Sequence, residues 1–285
     1  MIFMKNKRKT LFDRNLAIIK KKILQKKVYK YREITGILNS LKENSQISQA
    51  TTSQSFFTQL QENLSLKTHI VVSDKINQER YSLSDITAYD FVDSLVKNTF
   101  FSMTTALNLQ GLSDFKGDFI FYSQELKERK RVSIKLTQSL IDNAYKKKYS
   151  YTHSTAKYGE HYIVFLTPKF SDQTEVIAYK NLKISSIHRS LVEILINIQY
   201  FKDFETVIDN FKPLKNNLNV DKVYSVVEKF DLIYPYFQLL GFALSQIGFK
   251  NSELDLFKEK ISQFNFYTQK NKKNYAYDKF WKIYY

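Results

Sequence analysis

Residues 51–83 read TTSQSFFTQLQENLSLKTHIVVSDKINQERYSL, and a change of period inside this stretch decides the fold of the N-terminal third. Thr51 or Thr52 stands where a helix cap is needed, and Phe56, Phe57 and Leu60 follow at helical spacing to about Leu64. Beyond that point the pattern becomes strand-like. His69-Ile70-Val71-Val72 is β-rich, Ser73 to Glu79 is a polar turn, and Arg80-Tyr81-Ser82-Leu83 returns as a second strand. The stretch therefore predicts a helix followed by a two-stranded hairpin.

Towards the N-terminus, Ile34, Ile37, Leu38 and Leu41 put one apolar face on a helix over Tyr31 to Glu43, and Asn44 to Ala50 is a polar turn. Before it, Leu16, Ile19, Ile23 and Leu24 predict an amphipathic helix over Leu11 to Gln25, with Val28 and Tyr29 as a short extended link. Helix, helix, turn, helix and hairpin is the order of a winged helix-turn-helix, in which the third helix enters the major groove and the hairpin lies along the phosphates. The same periodicity also suits three helices packed as an ordinary α subdomain. On the winged-helix reading, the exposed positions of the third helix are Thr52, Ser53, Ser55, Thr58, Gln59 and Glu62, with Gln54 near its boundary. These side chains include glutamines able to pair bidentately with adenine. Arg and Lys are absent from that helix, so affinity would come from phosphate contacts by Lys20, Lys21, Lys22, Lys26 and Lys27 before it and by Lys75 and Arg80 in the hairpin.

Charge distribution agrees with that placement. The 285 residues carry 44 Lys and Arg against 28 Asp and Glu, a net +16. Eleven of the basic residues fall in the first 30 positions, opposed only by Asp13. A polyanion is the first partner such a surface suggests. A second basic segment holds Lys127, Arg129, Lys130, Arg131, Lys135, Lys146, Lys147 and Lys148, and a third closes the chain with Lys270, Lys272, Lys273, Lys279 and Lys282. With Tyr149 and Tyr151 as stacking groups, the second segment would suit RNA, which keeps an RNA-binding component, or a protein-binding scaffold, as the alternative function.

The chain is 43% hydrophobic and 15% aromatic, with 6 Gly and 3 Pro, a composition of packed elements joined by short turns. Cysteine is absent, which excludes disulfides, thiol catalysis and Cys-ligated metals and suits a reducing cytoplasm. His69, His153, His161 and His188 never stand at metal-ligand spacing, and the glycines never cluster into a phosphate loop. No cofactor and no enzymatic activity are expected. Lysines interrupt Leu11 to Leu24, so no secretion signal is read there, and the apolar run Phe237 to Phe249 is too short and too interrupted to span a membrane.

Beyond residue 85 the expectation is a mixed α/β region to about 183 and a helical bundle from about 186, giving an α+β chain divided into 1–85 and 86–285. Helices are predicted over Ile86 to Lys97 and Thr104 to Gln110. Strands are predicted at Asp118–Tyr122, Arg131–Ile134, Tyr149–His153, Glu160–Leu166 and Val176–Tyr179.

Two segments carry a family resemblance. Phe100-Phe101-Ser102-Met103-Thr104-Thr105-Ala106-Leu107-Asn108-Leu109-Gln110-Gly111-Leu112 and Ile184-Ser185-Ser186-Ile187-His188-Arg189-Ser190-Leu191-Val192-Glu193 resemble, in order and spacing, stretches of the AbiEi family, the antitoxins of type IV abortive-infection toxin-antitoxin systems. The helices of Asp209 to Phe249 are similar to the family's closing helices. Glu193 stands where the family usually has Asp, and Gln78-Glu79-Arg80-Tyr81 where an Arg-Gly-x-Tyr ending is frequent. The resemblance implies an autorepressor that binds inverted repeats in its operon's double-stranded DNA, and a C-terminal domain that counteracts a nucleotidyltransferase-like toxin as a functional rather than a tightly bound partner. A chain monomeric in solution that binds cooperatively on DNA fits it. Lys127, Arg129, Lys130, Arg131, Lys146 and Lys147 of the second basic segment, and Arg189 as the only Arg after Arg131, are candidates for the antitoxin surface.

Overall fold

The computed structural model of the chain describes residues 9–72, 77–113, 115, 118–128 and 134–285. In chain order the elements are α1 (Leu11–Arg14), α2 (Leu16–Ile23), α3 (Tyr31–Glu43), α4 (Ser53–Leu64), β1 (Lys67–Val72), β2 (Asn77–Ser82), α5 (Ala88–Asp93), β3 (Phe100–Phe101), α6 (Met103–Leu109), β4 (Phe119–Ser123), α7 (Gln138–Lys146) and β5 (Thr155–Tyr158). There follow β6 (His161–Leu166), β7 (Val176–Tyr179), β8 (Leu182–Ser185), α8 (Ile187–Ile196), α9 (Phe204–Phe211), α10 (Val220–Phe230), α11 (Tyr236–Ile247), α12 (Asp255–Lys258), β9 (Phe266–Tyr267), β10 (Tyr277–Asp278) and β11 (Ile283–Tyr284). The fold is mixed α and β. The chain forms two compact units, one of residues 1–97 with 156–161 and one of residues 98–155 with 162–285.

In the first unit, the single helix expected over Leu11 to Gln25 is two helices. Asn15 breaks it, because its Nδ2 donates both to the Leu11 carbonyl (3.1 Å) and to the Gln46 carbonyl (2.9 Å). A short amide side chain that bonds backbone groups competes with helix propagation in this way. Thr52 caps α4 by accepting the Ser55 N–H at 3.1 Å, and Ser65 ends it in the left-handed region at φ 56°. β1 and β2 pair antiparallel from Lys67↔Ser82 to Val72↔Asn77, and Val72 pairs on its other side with Lys157 of β5. Tyr29 bridges to Tyr81, which ties the link after α2 to the hairpin. Ile19, Ile23, Ile34, Leu38, Phe56 and Leu60 form the buried centre of this unit. The helix expected over Ile86 to Lys97 is only α5, capped by Thr87.

The second unit holds strands in the order β6-β4-β3-β8-β7, with β6 and β4 parallel, β4 and β3 antiparallel, β3 and β8 parallel, and β8 and β7 antiparallel. α8 packs on α6 and α10, and α11 on α9 and α12, over a core that includes Leu191, Val207, Val226, Leu240 and Phe242. Three expectations change here. Tyr149 to His153 is not a strand, since Tyr149 Oη accepts the Lys270 N–H (2.7 Å) and the Thr152 N–H donates to Tyr200 Oη (3.0 Å) in place of a ladder. The expected strand Arg131–Ile134 falls almost wholly outside the described residues. Finally, the chain is not helical to its end. β9, β10 and β11 form a separate three-stranded sheet in the order β10-β11-β9, because the aromatic-rich closing segment buries Phe266, Trp281 and Ile283 at strand rather than helix spacing.

Candidate functional site

Two arrangements carry the residues picked out by sequence. The first is the basic and polar surface of the N-terminal unit. Lys20 and Lys21 are exposed on α2, whereas Lys22 is half-buried and donates to Ser40 Oγ at 2.9 Å. Just past the helix, Lys26 pairs with Glu33 (2.6 Å) and Lys27 with Asp90 (3.0 Å). Burial works against the charge on Glu33, but the Lys26 ammonium and the Lys30 N–H outweigh it and hold the carboxyl below its usual range. On α4, Gln54, Ser55 and Thr58 are exposed and Ser53 is half-buried, while the Thr52 hydroxyl is occupied by its cap. Gln59 is half-buried, with an enclosed Oε1 that meets no donor among the described residues.

Arg80 is not on this surface. It is 5% exposed, and its guanidinium donates to the carbonyls of Glu79 (2.8 Å), Ser94 (3.0 Å) and Leu95 (3.1 Å) and to Gln78 Oε1 (2.5 Å). It ties β2 to the C-terminal turn of α5, where carbonyls left over by the helix need donors, and so cannot meet a phosphate. Lys75 lies outside the described residues. Next to Arg80 in the hairpin, His69 bridges Ser82 Oγ (2.8 Å) and Tyr158 Oη (2.8 Å), and burial with the nearby Lys67 charge lowers its pKa below 6.5. The ring is therefore neutral at pH 7.

The second arrangement is a buried polar knot in the other unit. Arg189, near the start of α8, is 0% exposed rather than part of a surface. Its Nε donates to Glu193 Oε1 (2.7 Å), Nη2 to Glu125 Oε1 (2.8 Å), and Nη1 to Ser171 Oγ (2.9 Å) and the Thr174 carbonyl (2.8 Å). The rings of Phe100 and Phe230 lie 4.7 and 5.1 Å from the guanidinium carbon. Glu193 Oε2 in turn accepts from Ser185 Oγ (2.8 Å) and from the N–H of Met103 (3.2 Å), a residue held at φ 50°. Glu125 also accepts the Ser171 and Gln173 N–H groups, both at 3.1 Å. Burial raises its pKa, but these donors and Arg189 prevail and keep it ionised. Beside the knot is a cleft of about 230 Å³ whose polar lining includes Ser102, Ser123, Lys169, Glu193 and Asn197. Ser102 Oγ and Ser123 Oγ lie 2.8 Å apart within it.

The knot joins the segments Phe100–Leu112 and Ile184–Glu193, through Met103 with Glu193 and Phe100 with Arg189. Sequence reading singled out Arg189 but not Glu125 or Ser171. The readable signal was the four-residue spacing of Arg189 and Glu193 on one helix face. Of the remaining basic candidates, Lys127, Lys146 and Lys147 are exposed, and Arg129, Lys130 and Arg131 lie outside the described residues. Among the described residues there is no cluster of three metal-ligating side chains and no helix long and apolar enough to cross a membrane.

No family model and no curated protein matches the chain. Its fold is similar to that in the crystal structure of the RV2827C protein from Mycobacterium tuberculosis, with a TM-score of 0.57 at 9% identity over 95% of this chain and 90% of that one. At that identity the likeness concerns the fold alone.

Proposed function

We propose that the protein is a DNA-binding antitoxin and transcriptional autorepressor. On this reading the N-terminal unit is a winged helix-turn-helix that binds inverted repeats at its own promoter. The C-terminal unit, whose helices from α8 to α11 serve as a bundle, counteracts a nucleotidyltransferase-like toxin without a tight complex and without catalysis of its own. The observation that carries the DNA half is the surface of the first unit. α4 offers Gln54, Ser55 and Thr58 to solvent, Lys20 and Lys21 are exposed on α2, and the β1–β2 hairpin follows α4 in the same compact unit. Lysines neutralise phosphates while the polar helix adds sequence preference, an arrangement in which affinity is salt-dependent and specificity modest. The antitoxin half rests on the resemblance of the Phe100–Leu112 and Ile184–Glu193 segments, and their meeting at one buried knot supports reading them as a single motif.

The test is anisotropy titration of the promoter duplex over a range of salt concentrations. Lys20→Gln with Lys21→Gln should flatten the slope of log K against log salt by about 0.9 for each phosphate that is no longer neutralised, and weaken promoter and random duplex alike. Equal slopes for variant and wild type would remove these lysines from the interface. Gln54→Ala should instead narrow the gap between promoter and random duplex. A single bidentate pair with a base is worth about 1–3 kcal/mol of discrimination.

A further inference from the structure

The closing three-stranded sheet brings tyrosines into register. Tyr284 of β11 pairs with Tyr267 of β9 on one side and with Tyr277 of β10 on the other, so the three side chains share one face. The rings of Tyr267 and Tyr284 are stacked with centroids 5.0 Å apart, and that of Tyr277 follows at 4.7 Å from Tyr284 with a tilt of 39°. Tyr145 of α7 extends the row inward, 5.0 Å from Tyr267 and tilted by only 23°. The row thus runs from a half-buried ring at Tyr145 to Tyr277 on the edge strand. Tyr277 is 44% exposed, and Tyr284 is its one ring neighbour among the described residues. A hydrogen bond from Tyr277 Oη to Asn265 Oδ1 (2.8 Å) fixes its orientation.

The segment that carries the open end is basic. Residues 264–285 contain Lys270, Lys272, Lys273, Lys279 and Lys282 against Asp278 alone among acidic side chains. Asp278 Oδ1 accepts the Trp281 N–H at 2.7 Å. Lys272 pairs with Glu205 and Lys282 with the Ser262 carbonyl, whereas Lys273 and Lys279 are exposed. Lys146, Lys147 and Lys148, all exposed, follow Tyr145 at the inner end of the row, where Asp142 Oδ1 accepts from Tyr267 Oη at 2.9 Å. An aromatic row that served packing alone would end in a buried ring with apolar neighbours. This one ends in an exposed, oriented ring within a lysine-rich segment.

We infer that the tyrosine row is a stacking platform for a single strand of nucleic acid. A base laid on the outer face of Tyr277 continues a stack already ordered by the protein, and Lys273 and Lys279 of the same segment are the cations for the phosphates. Stacking of this kind tolerates any base, since every base has a π face. It excludes a duplex, whose bases are already stacked on one another. This site is independent of the duplex-binding reading of the N-terminal unit.

The test uses the full chain with a fluorescein-labelled oligouridylate and, as comparison, oligothymidylate and a random duplex. Tyr277→Ala should weaken binding of both single strands about tenfold, equivalent to about 1.4 kcal/mol, whereas Tyr277→Phe, which keeps the ring, should bind nearly as wild type. Lys273→Gln with Lys279→Gln should lower the salt slope. Lys20→Gln with Lys21→Gln should leave single-strand binding intact while weakening duplex binding, which separates this site from the N-terminal surface. Tyr277 is exposed, so near-UV circular dichroism should show the Ala variant folded. Unchanged oligouridylate affinity in Tyr277→Ala, or its loss in the Lys20/Lys21 variant, overturns the proposal. So does a finding that Tyr277→Ala abolishes self-association through the β10 edge and leaves strand binding untouched.

Discussion

Three residues show how far a side chain's surroundings set its role. Arg189 is enclosed by two carboxylates, a hydroxyl, a carbonyl and two aromatic rings. Removing one member of a buried ionic group strands the others, so Arg189→Ala should cost about 3–5 kcal/mol of stability in urea unfolding. Arg189→Lys should recover only part of it, because an ammonium cannot reproduce the guanidinium fork. A destabilisation within about 0.5 kcal/mol, as at ordinary surface positions, would contradict this account of the knot. Gly241 of α11 is fixed by close approach: a Cβ there would overlap Trp281 Cζ3 and Cη2 and stand 3.0 Å from Phe257 Cβ. Gly241→Ala should therefore destabilise the chain by about 1–3 kcal/mol, the usual range for overpacking, although alanine is the better helix former. His69 sets a pH dependence. Its folded pKa lies below the ordinary 6.5, so the unfolded chain binds the proton more readily. The contribution is fully present above about 6.5 and is lost as pH falls through the lowered folded value. Protection factors of the β1 and β2 amides, taken relative to the intrinsic exchange rate at each pH, should fall over that window, and His69→Gln should abolish this dependence.

At the scale of elements, most helices were legible because their signals are local. The apolar faces of α3 and α4 sit where spacing predicted, and Thr52 caps α4 as its position before Phe56 and Phe57 suggested. Thr52→Ala should cost about 1 kcal/mol, measured as a shift of the urea midpoint. The misreadings involve side chains that bond outside their own segment. Asn15 breaks the first helix by reaching Gln46, 31 residues away. Tyr149 and Thr152 resemble a strand but bond Lys270 and Tyr200. β3 and β8 were missed because they are short, and their pairing through Phe101 and Ile184 has no local signature. The same limit applies to the polar surface: nothing near Arg80 in sequence announces that its guanidinium turns inward to Ser94 and Leu95.

At the scale of the molecule, the two units do not follow the division at residue 85. The first unit continues to Lys97 and takes in residues 156–161, where Tyr158 stacks on Phe91 at 3.8 Å. A fragment ending at 85 would leave buried Arg80 without the Ser94 and Leu95 carbonyls. It should unfold at a lower urea concentration than a fragment ending at 97, and equal midpoints would show that those bonds contribute nothing. Sequence by itself determined the mixed α and β character, the succession of helices and then a hairpin at the start, and the concentration of positive charge beside them. These depend on periodicity and composition, which act over a few neighbouring residues. Tertiary structure alone decided which charged groups face water and which are enclosed. It buried Arg80 and Arg189, and it lined up Tyr267, Tyr284 and Tyr277 across three strands. The physical reason is that desolvation and cross-strand register depend on partners distant in sequence, such as Glu125, 64 residues before Arg189, and no local pattern encodes them.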